Sequence, residues 1–397
     1  MSGKPDGDAP RVLTSRIVFY LPGFDPRDPE TYWGLFRREA RFTAARRGAA
    51  ITVGDPVRSA DGVELAWTAD SRGVSTRYVL LRWEDIVRAR FPQSDWTRLR
   101  GVPALLWRLW RTGYMASLRR EGWRFSTVIF CVHYIYIALA LLSLAAAAGL
   151  AALAPAAAQP WALVAVPPLA YAILAGLIRA TRGKPLYVPH LVDDTAFTHA
   201  YAAGEAPEMD PRLDAFAARI HAAEGEADEV VVVGHSSSSF LGIEVLDRVL
   251  ARDPGFGCRG TPVSFVSIGS VIPWLGLDPA ARRFRDSLLR FGRATQIGWL
   301  DVRATWDWLS IHKNNPITAC GLAPPDPARP SVRWVAIHEL ITSADVGRRQ
   351  WNLFQMHFQL LMASQRDSGF DYLDVVTGPE PVHALVAGCR EDGAPGL

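Results

Sequence analysis

The sequence predicts an α/β protein: a mostly parallel sheet with helices on both faces, interrupted by an inserted two-helix apolar hairpin. Three observations carry this. Short β-branched runs alternate with charged, helix-spaced stretches through most of the chain, the pattern of repeated strand–helix–strand units. Two long uncharged runs lie back to back in its middle. The unbroken run Val230–Val233 is bounded by charge and glycine, as a strand buried on both faces is.

Taken in order, residues 1–14 are polar, lack a signal-peptide pattern and predict a disordered tail. Residues 15–100 predict the first part of the α/β domain. They hold a strand at Arg16–Leu21 closed by Pro22 and Gly23, a helix at Glu30–Arg47, strands at Val63–Ala69 and Thr76–Trp83, and a short helix from Asp85. Residues 101–124 mix Trp107, Trp110 and leucines with arginines, the composition of a helix lying in the headgroup plane of a membrane; the alternative is an ordinary amphipathic helix packed on the domain.

The uncharged runs Thr127–Leu153 and Trp161–Ile178 are close to or above the roughly 20 residues that span a bilayer. The short link Pro155–Pro160 makes them antiparallel, so 125–180 predicts a transmembrane hairpin and the lipid bilayer is the first expected partner. Arginines precede the first run and follow the second, and the link has none. That bias puts both ends, and with them the rest of the chain, on the cytoplasmic side. The expectation is an integral protein of a bacterial-type inner membrane.

Residues 181–377 predict the second part of the α/β domain. Its helices are read at Asp210–Ala223, Ser237–Ala251, Asp278–Phe291 and Gln355–Gln365, and its strands at Val230–Val233, Val263–Ile268, Ile297–Arg303 and Val332–His338. Residues 378–397, with several Gly and Pro, predict a flexible C-terminal tail. A net charge of +3 over 397 residues gives no case for a nucleic-acid partner. Cys131, Cys258, Cys320 and Cys389 are widely separated and lack metal-ligand spacing, so free thiols and no metal site are expected.

The chemistry centres on Gly234-His235-Ser236-Ser237-Ser238, between the valine strand and a helix. This resembles the nucleophile elbow, Gly-x-Ser-x-Gly, of the α/β-hydrolase superfamily. A strained turn must hold the serine above the sheet edge, with small residues two before and two after it. Gly234 and Ser238 are small, His235 takes the variable position, and Ser238 stands where the family usually has glycine. A small-residue loop at a helix start also makes a phosphate cradle, but this one has no lysine.

The resemblance covers roughly 16–90 and 211–365 and implies Ser236 as nucleophile, followed in chain order by an acid and a histidine. Asp307, after the second strand beyond the elbow, and His357, after the next, fill those places. Asp301 ranks second as acid. His312 and His338 read as structural, and His383 is a reserve base. The oxyanion donors implied are the N–H groups of Ser237 and of Phe24, with Gly23 allowing close approach. The activity implied is hydrolysis of an acyl or lipid-like ester through an acyl-enzyme, with no cofactor. The alternatives are an acyltransferase using the same triad and an inactive membrane-anchored scaffold.

Overall fold

A computed structural model describes residues 13–48, 50–184, 186–366 and 369–388. One sheet is built from β1 (Ser15–Leu21), β2 (Ile51–Val53), β3 (Val57–Arg58), β4 (Glu64–Ser71), β5 (Val74–Leu81), β6 (Glu229–His235), β7 (Val263–Ile268), β8 (Ile297–Arg303) and β9 (Ser331–Trp334). Its order is β2-β4-β5-β1-β6-β7-β8-β9, with β3 also paired to β4. From β5 to β9 every pairing is parallel. The β4–β5 hairpin and its short partners form an antiparallel edge.

Side chains alternate across the sheet, which explains the unbroken valine run. Val230 and Val232 enter the core on one face, with Phe216, Phe240 and Phe291 of helices Met209–Ala222, Ser238–Arg252 and Arg282–Arg293. Val231 and Val233 enter the core on the other, with Phe36 of helix Glu30–Arg47 and Tyr372 of helix Tyr372–Thr377. Both faces of the strand are covered, so neither can be polar.

Several boundaries differ from the sequence reading. The amphipathic stretch is two helices, Asp95–Arg111 and Tyr114–Glu121, split where Gly113 takes φ +70°. Val102, Leu109 and Leu118 are buried against the domain, while Trp96, Trp107 and Trp110 are exposed. The last predicted strand stops at Trp334, and His338 lies in a short helix. Helix Val188–Ala202 was not expected at all.

The two expected tails are shorter than their predicted ranges. Leu13 is buried, and Thr14 N–H and O–H donate to Asp228 at 3.0 and 2.7 Å. At the other end Val382–Gly388 is a helix with Val382 fully buried, and Arg16 donates to the carbonyls of Gly378 and Glu380 at 3.0 and 2.8 Å. Residues 1–12 and 389–397, the rest of both predicted tails, lie outside the described residues. Among the described residues Cys131, Cys258 and Cys320 are free thiols.

Helices Trp123–Ala152 and Gln159–Thr181, joined by the turn Ala156–Ala158, are long and apolar enough to cross a membrane. They pack on each other, and only their proximal parts enter the domain. Phe125, Ile129, Val132 and Tyr136 of the first and Leu174 and Ile178 of the second belong to the core. Beyond these, Leu141, Leu142, Leu153, Trp161 and Val164 are exposed.

Candidate active site

The parallel register sets the site. Leu21 pairs with Gly234 and His235 with Ile268, so the loops leaving β1, β6 and β7 emerge side by side at the carboxyl edge of the sheet, where open α/β sheets bind ligands. Ser236 stands on the turn after β6 with φ +57°. A non-glycine residue there is strained by roughly 1–2 kcal/mol, and the strain is held by specific contacts. Ser236 N–H donates to Ile268 O at 3.1 Å, and Ser239 N–H donates to Ser236 O at 2.9 Å.

The small residues are needed where the sequence put them. A Cβ on Gly234 would lie 2.4 Å from Ser238 O, and one on Gly23 would lie 3.0 Å from Ser236 Cβ. Ser238 does more than stay small: its hydroxyl donates to Pro22 O, which also accepts from Trp83 Nε1 at 2.8 Å. The elbow is thereby tied to the loop that carries Phe24. Ser239 Oγ accepts from Val271 N–H at 3.0 Å, tying the elbow helix to the loop after β7. The serine run is a set of clamps.

Asp307 and His357 meet in a buried pair. His357 Nδ1 lies 2.7 Å from Asp307 Oδ2, and Leu309 N–H donates to Asp307 Oδ1 at 2.9 Å. Their residues are 2% and 0% exposed. With Nδ1 carrying the proton toward the carboxylate, Nε2 keeps its lone pair, and among the described residues no group bonds it. His357 and Ser236 line one cavity of about 760 Å³. A Cβ on Gly269, whose φ is +56°, would sit 2.7 Å from His357 Cε1 and 3.4 Å from Asp307 Oδ2. Gly269 therefore shapes the seat of the pair, a role that sequence reading missed.

Asp301 and His383 are engaged elsewhere. Asp301 accepts from Ser267 Oγ at 2.7 Å and from Arg303 Nε at 2.6 Å. His383 lies beside Glu229 at the start of β6, the edge away from Ser236. The His312 ring packs edge-on against Trp334 at 6.1 Å, and His338 lies in the short helix Ile337–Leu340. His235 is a buried packing residue: its ring lies 4.7 Å from that of His357, and burial pushes its pKa well below the ordinary value.

Ser237 precedes helix Ser238–Arg252, so its N–H belongs to the unpaired amide set of that helix start. The Phe24 side chain is buried among Phe197, Trp83 and His190, which fixes its backbone beside the elbow. At the cavity mouth Asp25 accepts from Arg27 and from Tyr32 O–H. Burial would raise this carboxyl, and the Arg27 guanidinium overrides it, leaving the pKa below the ordinary value. The cavity also has an apolar wall that includes Leu191 and Trp274 together with Phe125 and Ile129 from the first long apolar helix.

Comparison of this chain with protein-family models, with curated proteins and with solved structures gave no match.

Proposed function

We propose that this chain is a membrane-anchored serine hydrolase of the α/β-hydrolase type that cleaves a lipid-like acyl ester. The observation that carries the reading is the buried His357–Asp307 pair, whose unbonded Nε2 shares a cavity with Ser236 on a left-handed turn. Three separate segments supply these groups: the turn after β6, the turn after β8 and the helix Leu353–Phe358 that follows β9. The arrangement is what a serine nucleophile needs: a base to take its proton and an acid to hold the base in the right tautomer.

In the reaction, Ser236 Oγ attacks the ester carbonyl as His357 Nε2 takes its proton. The N–H groups of Ser237 and Phe24 stabilise the oxyanion. Collapse returns the proton from His357 to the leaving alcohol and leaves an acyl group on Ser236. Water, deprotonated by His357, then releases the acid.

The anchor and the substrate are linked in this reading. The exposed distal parts of the apolar helices enter the bilayer, the flanking arginines keep the domain on the cytoplasmic side, and the exposed tryptophans lie at the interface. Because Phe125 and Ile129 belong to the root of the same hairpin and to the cavity wall, an acyl chain reaches Ser236 from the membrane face. The test is ester turnover by purified protein in detergent. Ser236→Ala and His357→Ala are expected to abolish it and Asp307→Asn to lower it by orders of magnitude. Turnover retained in Ser236→Ala overturns the proposal.

A further inference from the structure

The cavity holds a carboxyl that the proposed reaction leaves unused. Asp194, on helix Val188–Ala202, lines the same cavity as Ser236 and His357 and is 7% exposed. The other buried charged groups of this helix have partners: Asp193 pairs with Arg98 at 2.7 Å, and His199 with Asp278 at 2.6 Å. Asp194 Oδ1 is buried without a hydrogen bond, and among the described residues no cation acts on the carboxyl.

The polar groups beside it are the hydroxyls of Ser237 and Thr198, and neither closes a hydrogen bond of good geometry. Asp193, next on the helix, is the nearest charge named. The charged and titratable groups elsewhere around the cavity are Asp25, Arg27, Arg38, Tyr32, Tyr187, His190, His235 and His357. An unpaired carboxylate in such a place binds a proton instead of remaining charged. Burial pushes the Asp194 pKa well above the ordinary value, against the opposing pull of the Ser237 and Thr198 hydroxyls and with Asp193 adding to it. A protonated carboxyl has an O–H to give, and this one stands beside Ser237, the residue whose backbone N–H is the proposed oxyanion donor.

We propose that Asp194 is a substrate-binding carboxyl that works in its neutral form, donating a hydrogen bond to an oxygen of the ester held at Ser236. This rests on the hydrolase reading. An asparagine in its place keeps a neutral donor of nearly the same shape, whereas an alanine removes the donor. Ionisation of Asp194 at alkaline pH also removes it.

The experiment measures the rate of Ser236 phosphonylation by an alkyl fluorophosphonate in wild type, Asp194→Asn and Asp194→Ala, with melting temperatures taken in parallel. Phosphonyl oxygen stands in for the ester oxygen. Wild type is expected to slow at alkaline pH. Asp194→Asn is expected to react within about three-fold of wild type near neutral pH and to lack that alkaline decline. Asp194→Ala is expected to be about ten-fold slower near neutral pH in protein that still melts cooperatively. Asparagine as damaging as alanine, or both variants at the wild-type rate and pH profile, overturns the proposal while leaving the hydrolase reading intact. A folded wild type that is never labelled overturns both.

Discussion

Replacing Gly269 with alanine separates a structural cost from a catalytic one. The backbone there is left-handed at φ +56°, so any side chain carries a conformational penalty of roughly 1–2 kcal/mol. The new Cβ would also lie 2.7 Å from His357 Cε1, about 0.7 Å inside the 3.4 Å at which ordinary contact begins. The ring is wedged between Asp307 and His235, so it must tilt, carrying Nε2 away from Ser236. A displacement approaching 1 Å lowers a reaction of this kind by up to about a hundred-fold. Gly225 is the control, with φ +89° and open space around its Cβ. Denaturant melts should show Gly225→Ala losing roughly 1–2 kcal/mol and Gly269→Ala losing roughly 1–3 kcal/mol more through the overpacked contact, while ester turnover falls ten- to a hundred-fold only in Gly269→Ala. Equal turnover in the two variants would refute the assignment of Gly269 to the seat of His357.

Three further outcomes are expected. Ser238→Gly restores the residue usual in the elbow but removes the tie to Pro22; it should lose about 1 kcal/mol in stability and slow turnover several-fold. Ile129→Trp should narrow the cavity at its apolar wall and lower turnover of long-chain esters more than of acetate esters, read as the ratio of the two rates. Burial raises the Glu244 pKa to about 7, where Tyr201 O–H donates to it. The folded chain therefore holds a proton that the unfolded chain releases near pH 4.5. Stability from this group is full below that pH and is lost as pH rises through about 7, a decline of the order of 2–3 kcal/mol. Glu244→Gln should flatten it in denaturant melts taken across that range.

What the sequence made legible was whatever has a local signature. The valine run at 230–233 specified a strand covered on both sides, and the small residues around Ser236 marked a tight turn. The order of Ser236, Asp307 and His357 along the chain was readable as well; parallel register brings the turns after β6 and β8 to one edge, and His357 reaches Asp307 from helix Leu353–Phe358. Helix Val188–Ala202 was illegible for a physical reason. It is buried on most of its surface, and its charged groups Asp193 and His199 are partnered inside the protein, with Arg98 and Asp278, while Asp194 is buried beside the cavity. It therefore has no polar face for periodicity to find, and Asp194 was missed with it. Gly269 was missed because its constraint is a contact with His357, remote in sequence. Hydropathy treated the first apolar helix as uniform, although one face of Phe125–Tyr136 contributes to the domain core while Tyr134, Ile135 and the distal Leu141 and Leu142 are exposed. Core and lipid ask for the same side chains.

The central claim, that Ser236 is a nucleophile activated by His357, is tested most directly by locating a covalent adduct. Wild-type protein in detergent would be treated with a fluorophosphonate, digested and read by mass spectrometry. The account predicts one adduct, on Ser236 in the peptide spanning the elbow, absent in Ser236→Ala and strongly reduced in His357→Ala. An adduct on Ser237, Ser238 or any other serine, or labelling of Ser236 indifferent to loss of His357, would contradict it.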